Sequence, residues 1–205
     1  MNTFNRPRRR WGRAAIADEP PAPHLTGTLE RQCVALPDAL AILEHVPGPG
    51  QALHALMTGR YDLMALLVAL IERIGVVEAM AVSTLSFHAK NLAQMLALLD
   101  VELVRRLDLL ACTFFKNTNK ALFVETQQEF RQRKQRVAAA RTHAKVITLA
   151  AADGRRFTLE GSANLRHNDC WEQFALVNDT ALHDWHAAWI TDMIGRHEGE
   201  VDEGH

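Results

Sequence analysis

His143-Ala144-Lys145-Val146-Ile147-Thr148-Leu149-Ala150-Ala151-Ala152-Asp153-Gly154-Arg155-Arg156-Phe157-Thr158-Leu159-Glu160-Gly161-Ser162-Ala163-Asn164 reads as two extended segments around one turn. The first segment is β-branched and aliphatic, and the second alternates apolar with polar residues, as a half-buried strand does. Asp-Gly between two such runs is the signal of a two-residue hairpin. A two-residue turn at Asp153-Gly154 pairs Lys145 with Ser162 and His143 with Asn164 across the hairpin, whereas a bulge or longer turn shifts the register and leaves the four close. An imidazole, an ammonium, a hydroxyl and a carboxamide are then expected on one patch of sheet.

The tripeptide His-Ala-Lys occurs twice, and its earlier copy, His88-Ala89-Lys90, has a different setting. Residues two apart on a strand share a face, whereas on a helix they diverge. Leu92, Met95, Leu96 and Leu99 follow the first copy with helical spacing, which places it at a strand-to-helix junction. No partner segment like Gly161-Ser162-Ala163-Asn164 follows His88. The first copy reads as an accidental resemblance.

Working outward, strands and helices alternate from Ala79. Strands are expected at Ala79 to Phe87, Leu107 to Phe115, within Val137 to Ala151, at Arg156 to Ser162 and at Gln173 to Asn178. Helices are expected at Asn91 to Leu99, Lys120 to about Lys134 and Leu182 to Ile194. Upstream, Asp62 caps a helix that Gly75 stops near Ile74, and Asp38 to Leu43 has a short helical pattern before the break at Pro47-Gly48-Pro49-Gly50. The fold class is α/β, a mixed, mostly parallel sheet flanked by helices on both faces. Residues 1–28, rich in Pro and Arg, read as a flexible basic arm. Residues 29–197 form a single domain, and 198–205 an acidic tail.

The chain has 205 residues, 48% of them hydrophobic, and a formal net charge of -1, enough for a buried core and too neutral for a histone-like nucleic-acid binder. Three widely spaced cysteines, Cys33, Cys112 and Cys170, argue against a disulfide framework and for a cytoplasmic location. The longest apolar run, Met64 to Ile71, falls short of the roughly 20 residues of a membrane span, so stable membrane insertion is not expected. No metal-ligand spacing is present and no cofactor is implied. His183, Asp184 and His186 read as a helical surface, and Trp185 and Trp189 as a packing face.

His143-x-Lys145, an Asp-Gly turn and Gly161-Ser162-Ala163-Asn164 together resemble the HxK…D…GSxN signature of the phospholipase D superfamily. The likeness extends through Glu172-Gln173-Phe174 to Trp189-Ile190 and is similar to small single-motif members from phage and prophage contexts. It implies a phospholipase D-like fold and catalysis of phosphodiester cleavage, with His143 as nucleophile through a phosphohistidine. Lys145, Ser162 and Asn164 would hold phosphate oxygens, and Glu172 would orient His143. The sequence departs from the pattern at Ala150, where the family places Asp, and Asp153 reads as the displaced counterpart. The scheme needs two imidazoles and the chain has one full motif, so a homodimer joining two half-sites is expected.

Arg131, Arg133, Lys134, Arg136 and Arg141 precede His143. Beside a phosphodiester site such a cluster points to a polyanion, DNA or RNA, held by phosphate contacts; the bland alternative is a solvated helix face. The expected function is a metal-independent nuclease. The alternatives are a nucleic-acid-binding phage or mobile-element protein that keeps the fold without turnover, and a phospholipid hydrolase or transferase.

Overall fold

The computed structural model describes residues 30–35, 43, 46–57, 62–166 and 171–198. The expected basic arm, most of the Asp38 to Leu43 helix, Cys170 and nearly all of the acidic tail lie outside them. In chain order the elements are β1 (Glu30–Ala35), β2 (Gln51–Met57), α1 (Leu63–Ile74), β3 (Val77–Thr84), α2 (Ala89–Asp100), β4 (Leu107–Cys112), α3 (Thr113–Thr118), α4 (Lys120–Gln132), β5 (Arg136–Ala140), β6 (Val146–Ala151), β7 (Arg156–Gly161), β8 (Glu172–Asn178) and α5 (Thr180–His197).

Local chemistry sets the helix ends. Asp62 Oδ1 accepts from Ala65 N at 2.8 Å and starts α1, and Gly75 N donates to Ile71 O at 2.9 Å and ends it. Leu63, Met64, Leu66, Leu67, Leu70, Ile71 and Ile74 of α1 are all buried, so this helix is covered nearly all round. In α4 the buried residues Phe123, Thr126 and Phe130 recur at helical spacing and form one stripe.

All eight strands join one sheet in the order β1-β2-β8-β7-β6-β3-β4-β5. The expected α/β class and mixed sheet hold, but the balance of directions differs from expectation. Pairs β2 to β8, β8 to β7, β7 to β6 and β6 to β3 are antiparallel, and only β1 to β2, β3 to β4 and β4 to β5 are parallel. The reason is that β6, β7 and β8 follow one another as an antiparallel meander into the middle of the sheet, which periodicity along the chain does not reveal.

Helices cover both faces. Val82, Leu109, Ile147 and Leu159 point into the larger core with residues of α1, α2 and α4. Ala81, Leu110, Ala138 and Val146, one position along on their strands, pack under Ile190 and Ile194 of α5. His183 and His186 of α5 are buried against the sheet, which corrects their reading as helical surface. Trp189 packs on the same cluster, as a packing face requires. No helix among the described residues is long and apolar enough to cross a membrane.

The expected register of the hairpin is corrected. Gly154 N donates to Ala151 O at 3.1 Å, Ala151 N donates to Arg155 O at 3.0 Å, and Gly154 has φ 93°. The connection is a three-residue turn whose last residue is left-handed, the geometry in which glycine carries no Cβ penalty. The extra residue slips the register by one: Val146 faces Glu160 and Ile147 faces Leu159, so Lys145 comes opposite Gly161 instead of Ser162. Asp153 stands in the turn itself, bonded to Arg155 N at 3.0 Å and paired with the Arg155 guanidinium. That turn and His143 lie at opposite ends of β6, about 20 Å apart. Ala150, where the resemblance places the family's Asp, is buried at the same end of β6 as the turn.

Candidate active site

The strand directions bring one set of ends together. Because β3 and β6 are antiparallel and Ser83 faces Val146, the carboxyl end of β3 meets the amino end of β6. The same edge holds the carboxyl ends of β4, β5 and β7 and the amino end of β8. Ligands of open α/β sheets gather at such edges, where loops leave the scaffold.

His143 and Lys145 enter this edge on the link between β5 and β6. Thr142 N donates to Ala140 O at 2.9 Å, and Ala144 N donates to Thr142 Oγ1 at 3.1 Å, which tightens the chain as it leaves β5. The buried Ser83 hydroxyl donates to Ala144 O at 3.0 Å, fixing the residue between His143 and Lys145. His143 is exposed and Lys145 half-buried, with Lys145 Nζ donating to His143 O at 3.2 Å.

Ser162, Asn164 and Glu172 arrive from β7 and β8. Gly161 faces Phe174, and a Cβ on Gly161 would lie 2.2 Å from Gln173 O and 2.8 Å from Phe174 Cα. Only a residue without a side chain lets the two strands approach this closely. Ser162 N then donates to Gln173 O at 2.9 Å, Gln173 N donates to Ser162 Oγ at 3.0 Å, and the Ser162 hydroxyl donates to the Glu172 carboxylate. The Asn164 Oδ1 atom is buried without a hydrogen-bond partner, a costly condition in an interior unless a ligand or water serves it.

The five expected catalytic residues, His143, Lys145, Ser162, Asn164 and Glu172, thus come from three strand ends to one edge. The basic cluster does not arrive with them. Arg136 opens β5 and Arg141 follows its end, so the strand carries Arg141 to the site edge and leaves Arg131, Arg133, Lys134 and Arg136 at the far one. Arg133 pairs with Asp100 and Glu129, both of which raise its pKa. Arg136 makes a two-pronged bond to the buried Asp108 at 2.9 and 2.8 Å, which raises its pKa in turn.

His88-Ala89-Lys90, set aside on sequence, is at the site edge, just beyond the end of β3 and next to β6 in the sheet. All three residues are exposed. His88 N donates to Asn91 Oδ1 at 3.0 Å, and the buried Asn91 donates to Asp62 Oδ2 at 3.2 Å, so the starts of α1 and α2 are tied together. No local signal could have found this neighbour, since it depends on β6 lying beside β3. Among the described residues there is no group of three or more His, Cys, Asp or Glu arranged to hold a metal ion.

No protein-family model and no curated protein matches the sequence. Among solved structures the chain is similar to the phospholipase D family member Nuc from Salmonella typhimurium, with TM-score 0.48 and 12% identity over 65% of this chain and 88% of that one. It is also similar to NucT from Helicobacter pylori, with TM-score 0.46 and 14% identity over 72% of this chain and 99% of that one. A third likeness is to phosphatidylserine synthase from Haemophilus influenzae, with TM-score 0.45 and 15% identity over 71% of this chain and 38% of that one.

Proposed function

We propose that this chain is a metal-independent phosphodiesterase of phospholipase D type, a nuclease that works as a homodimer. What supports this reading is that His143, Lys145, Ser162, Asn164 and Glu172 meet at one sheet edge. In the proposed reaction a ring nitrogen of His143 attacks phosphorus while the bond to the leaving oxygen breaks. The second imidazole, His143 of another copy, gives that oxygen its proton. Water then attacks the phosphohistidine, the phosphorus–nitrogen bond breaks, and the second imidazole takes the water's proton.

Lys145 supplies positive charge to the non-bridging oxygens, and the amide of Asn164 is a second donor. Glu172 orients His143 in this scheme. Ser162, whose hydroxyl donates to Glu172, holds that carboxylate in place. The exposed Arg141, beyond the end of β5, adds attraction for a polyanion.

The test is hydrolysis of bis(p-nitrophenyl) phosphate and of a labelled oligonucleotide in excess EDTA. Wild type should turn over both and form an acid-labile phosphoprotein, and His143→Ala should lose at least about a thousandfold of the rate. Equal rates in the variant would remove the reading, as would a monomer that is fully active in sedimentation-checked solution.

A further inference from the structure

Among the described residues the exposed aromatic side chains are Phe114, 63% exposed, and Trp171, 69% exposed. Both stand at the edge that carries His143. Phe114 is in the first turn of α3, directly after β4, and Trp171 immediately precedes β8. The strand order between them is β8-β7-β6-β3-β4, four inter-strand steps and thus about 19 Å. Between them lie the two His-Ala-Lys tripeptides, one on the link just before β6 and one beyond the end of β3, where α2 opens. Among the described residues no carboxylate is paired with Lys90 or Lys145, whereas Arg133 and Arg136 at the far edge are committed to acids.

From this series we infer that the edge is a binding track for single-stranded nucleic acid, with Trp171 and Phe114 as stacking platforms and Lys90 as a second cationic station beside His143, His88 adjoining it. The inference deepens the proposed function and rests on it for the reaction, but not for the binding. Phosphates are drawn to the central cations, and an exposed ring face is stabilised by an unstacked base. A duplex keeps its bases stacked and offers no such face. A membrane would need a continuous apolar face, while here cations separate the two rings. His88 is held in place by the bond from its N–H to Asn91, itself tied to Asp62.

The experiment is fluorescence anisotropy with the full chain and three probes: a fluorescein-labelled single-stranded 20-mer, the matching duplex, and vesicles of anionic phospholipid. Phe114→Ala, Trp171→Ala and Lys90→Glu should each weaken single-strand binding at least about fivefold, and Lys90→Glu should also flatten the salt dependence. Val101→Ala, an exposed apolar residue after α2, should change nothing. Circular dichroism and the melting temperature of each variant show that the fold is kept. Unchanged single-strand affinity in Phe114→Ala and Trp171→Ala would overturn the track, as would tighter binding to duplex or to vesicles. Hydrolysis of bis(p-nitrophenyl) phosphate is read in parallel. If it persists while the track variants bind normally, the track fails and the phosphodiesterase stands; if it is absent while single-strand binding depends on both rings, the reverse holds.

Discussion

The hydroxyl of Ser83, buried at the end of β3, donates to the carbonyl oxygen of Ala144 at 3.0 Å, so the residue between His143 and Lys145 is held by a neighbouring strand. Ser83→Ala frees that link without touching substrate. A nucleophile displaced by a fraction of an ångström loses rate before it loses affinity. The expected result is a fall in kcat of about tenfold with KM within about twofold of wild type, measured on bis(p-nitrophenyl) phosphate. An unchanged kcat would show that Ala144 needs no such anchor.

Gly161 is expected to tolerate no side chain. A Cβ there would lie 2.2 Å from Gln173 O and 2.8 Å from Phe174 Cα, both backbone atoms of the adjoining strand. Gly161→Ala should cost about 1–3 kcal/mol as β7 and β8 are forced apart, and should lower activity because Ser162 and Glu172 sit on the displaced ends. Urea denaturation checks the first part and turnover the second. Full stability in the variant would contradict the close approach.

The basic cluster should divide into two classes. Removing the Arg136 guanidinium leaves Asp108, whose side chain is 2% exposed, without its bidentate partner. Arg136→Ala should cost roughly 3 kcal/mol in urea denaturation, the order expected when half of a buried pair is lost. Arg141→Glu should change stability by less than about 0.5 kcal/mol while weakening oligonucleotide binding. The opposite pattern would place the substrate at the far edge.

Acid should destabilise the fold in two stages. Burial holds the His183 imidazole below its ordinary pKa, outweighing the opposing effect of its hydrogen bond to the Asp184 carboxylate. The unfolded chain then binds a proton at higher pH than the folded one, so stability is complete above roughly 6.5 and declines as pH falls below it. The Glu160 carboxyl is held below its ordinary value by the hydrogen bond from His186, which adds a loss as pH drops through the carboxylate range. The urea midpoint should fall from pH 7.5 to 5.5 in wild type and fall less in His183→Leu. A midpoint that rises on acidification would refute the assignment.

Much of this architecture is local and was legible. The α1 cap at Asp62 and stop at Gly75, the helix from Lys120, the strand from Arg156 and the closing helix with Trp185 and Trp189 follow from spacing and turn chemistry. Strand β2 was missed, since Gln51–Met57 is a short run without clean alternation. Expected strand Leu107 to Phe115 ends early at Cys112, where α3 begins and turns Phe115 inward to stack against Phe87 at 4.3 Å.

The sequence by itself determined the hairpin after Lys145, the residue types offered for phosphate chemistry and the α/β alternation, because each depends on neighbours within a few residues. Tertiary structure decided the register, through one left-handed glycine that lengthened the turn. It also decided which side chains share an edge. Arg136 and Arg141 are five residues apart but β5 carries them to opposite ends of the sheet, while His88 and His143, 55 positions apart in sequence, enter the same edge on loops beside adjacent strands. Strand order is set by burying both faces of the sheet under α1, α2, α4 and α5, a long-range balance that no window along the chain contains.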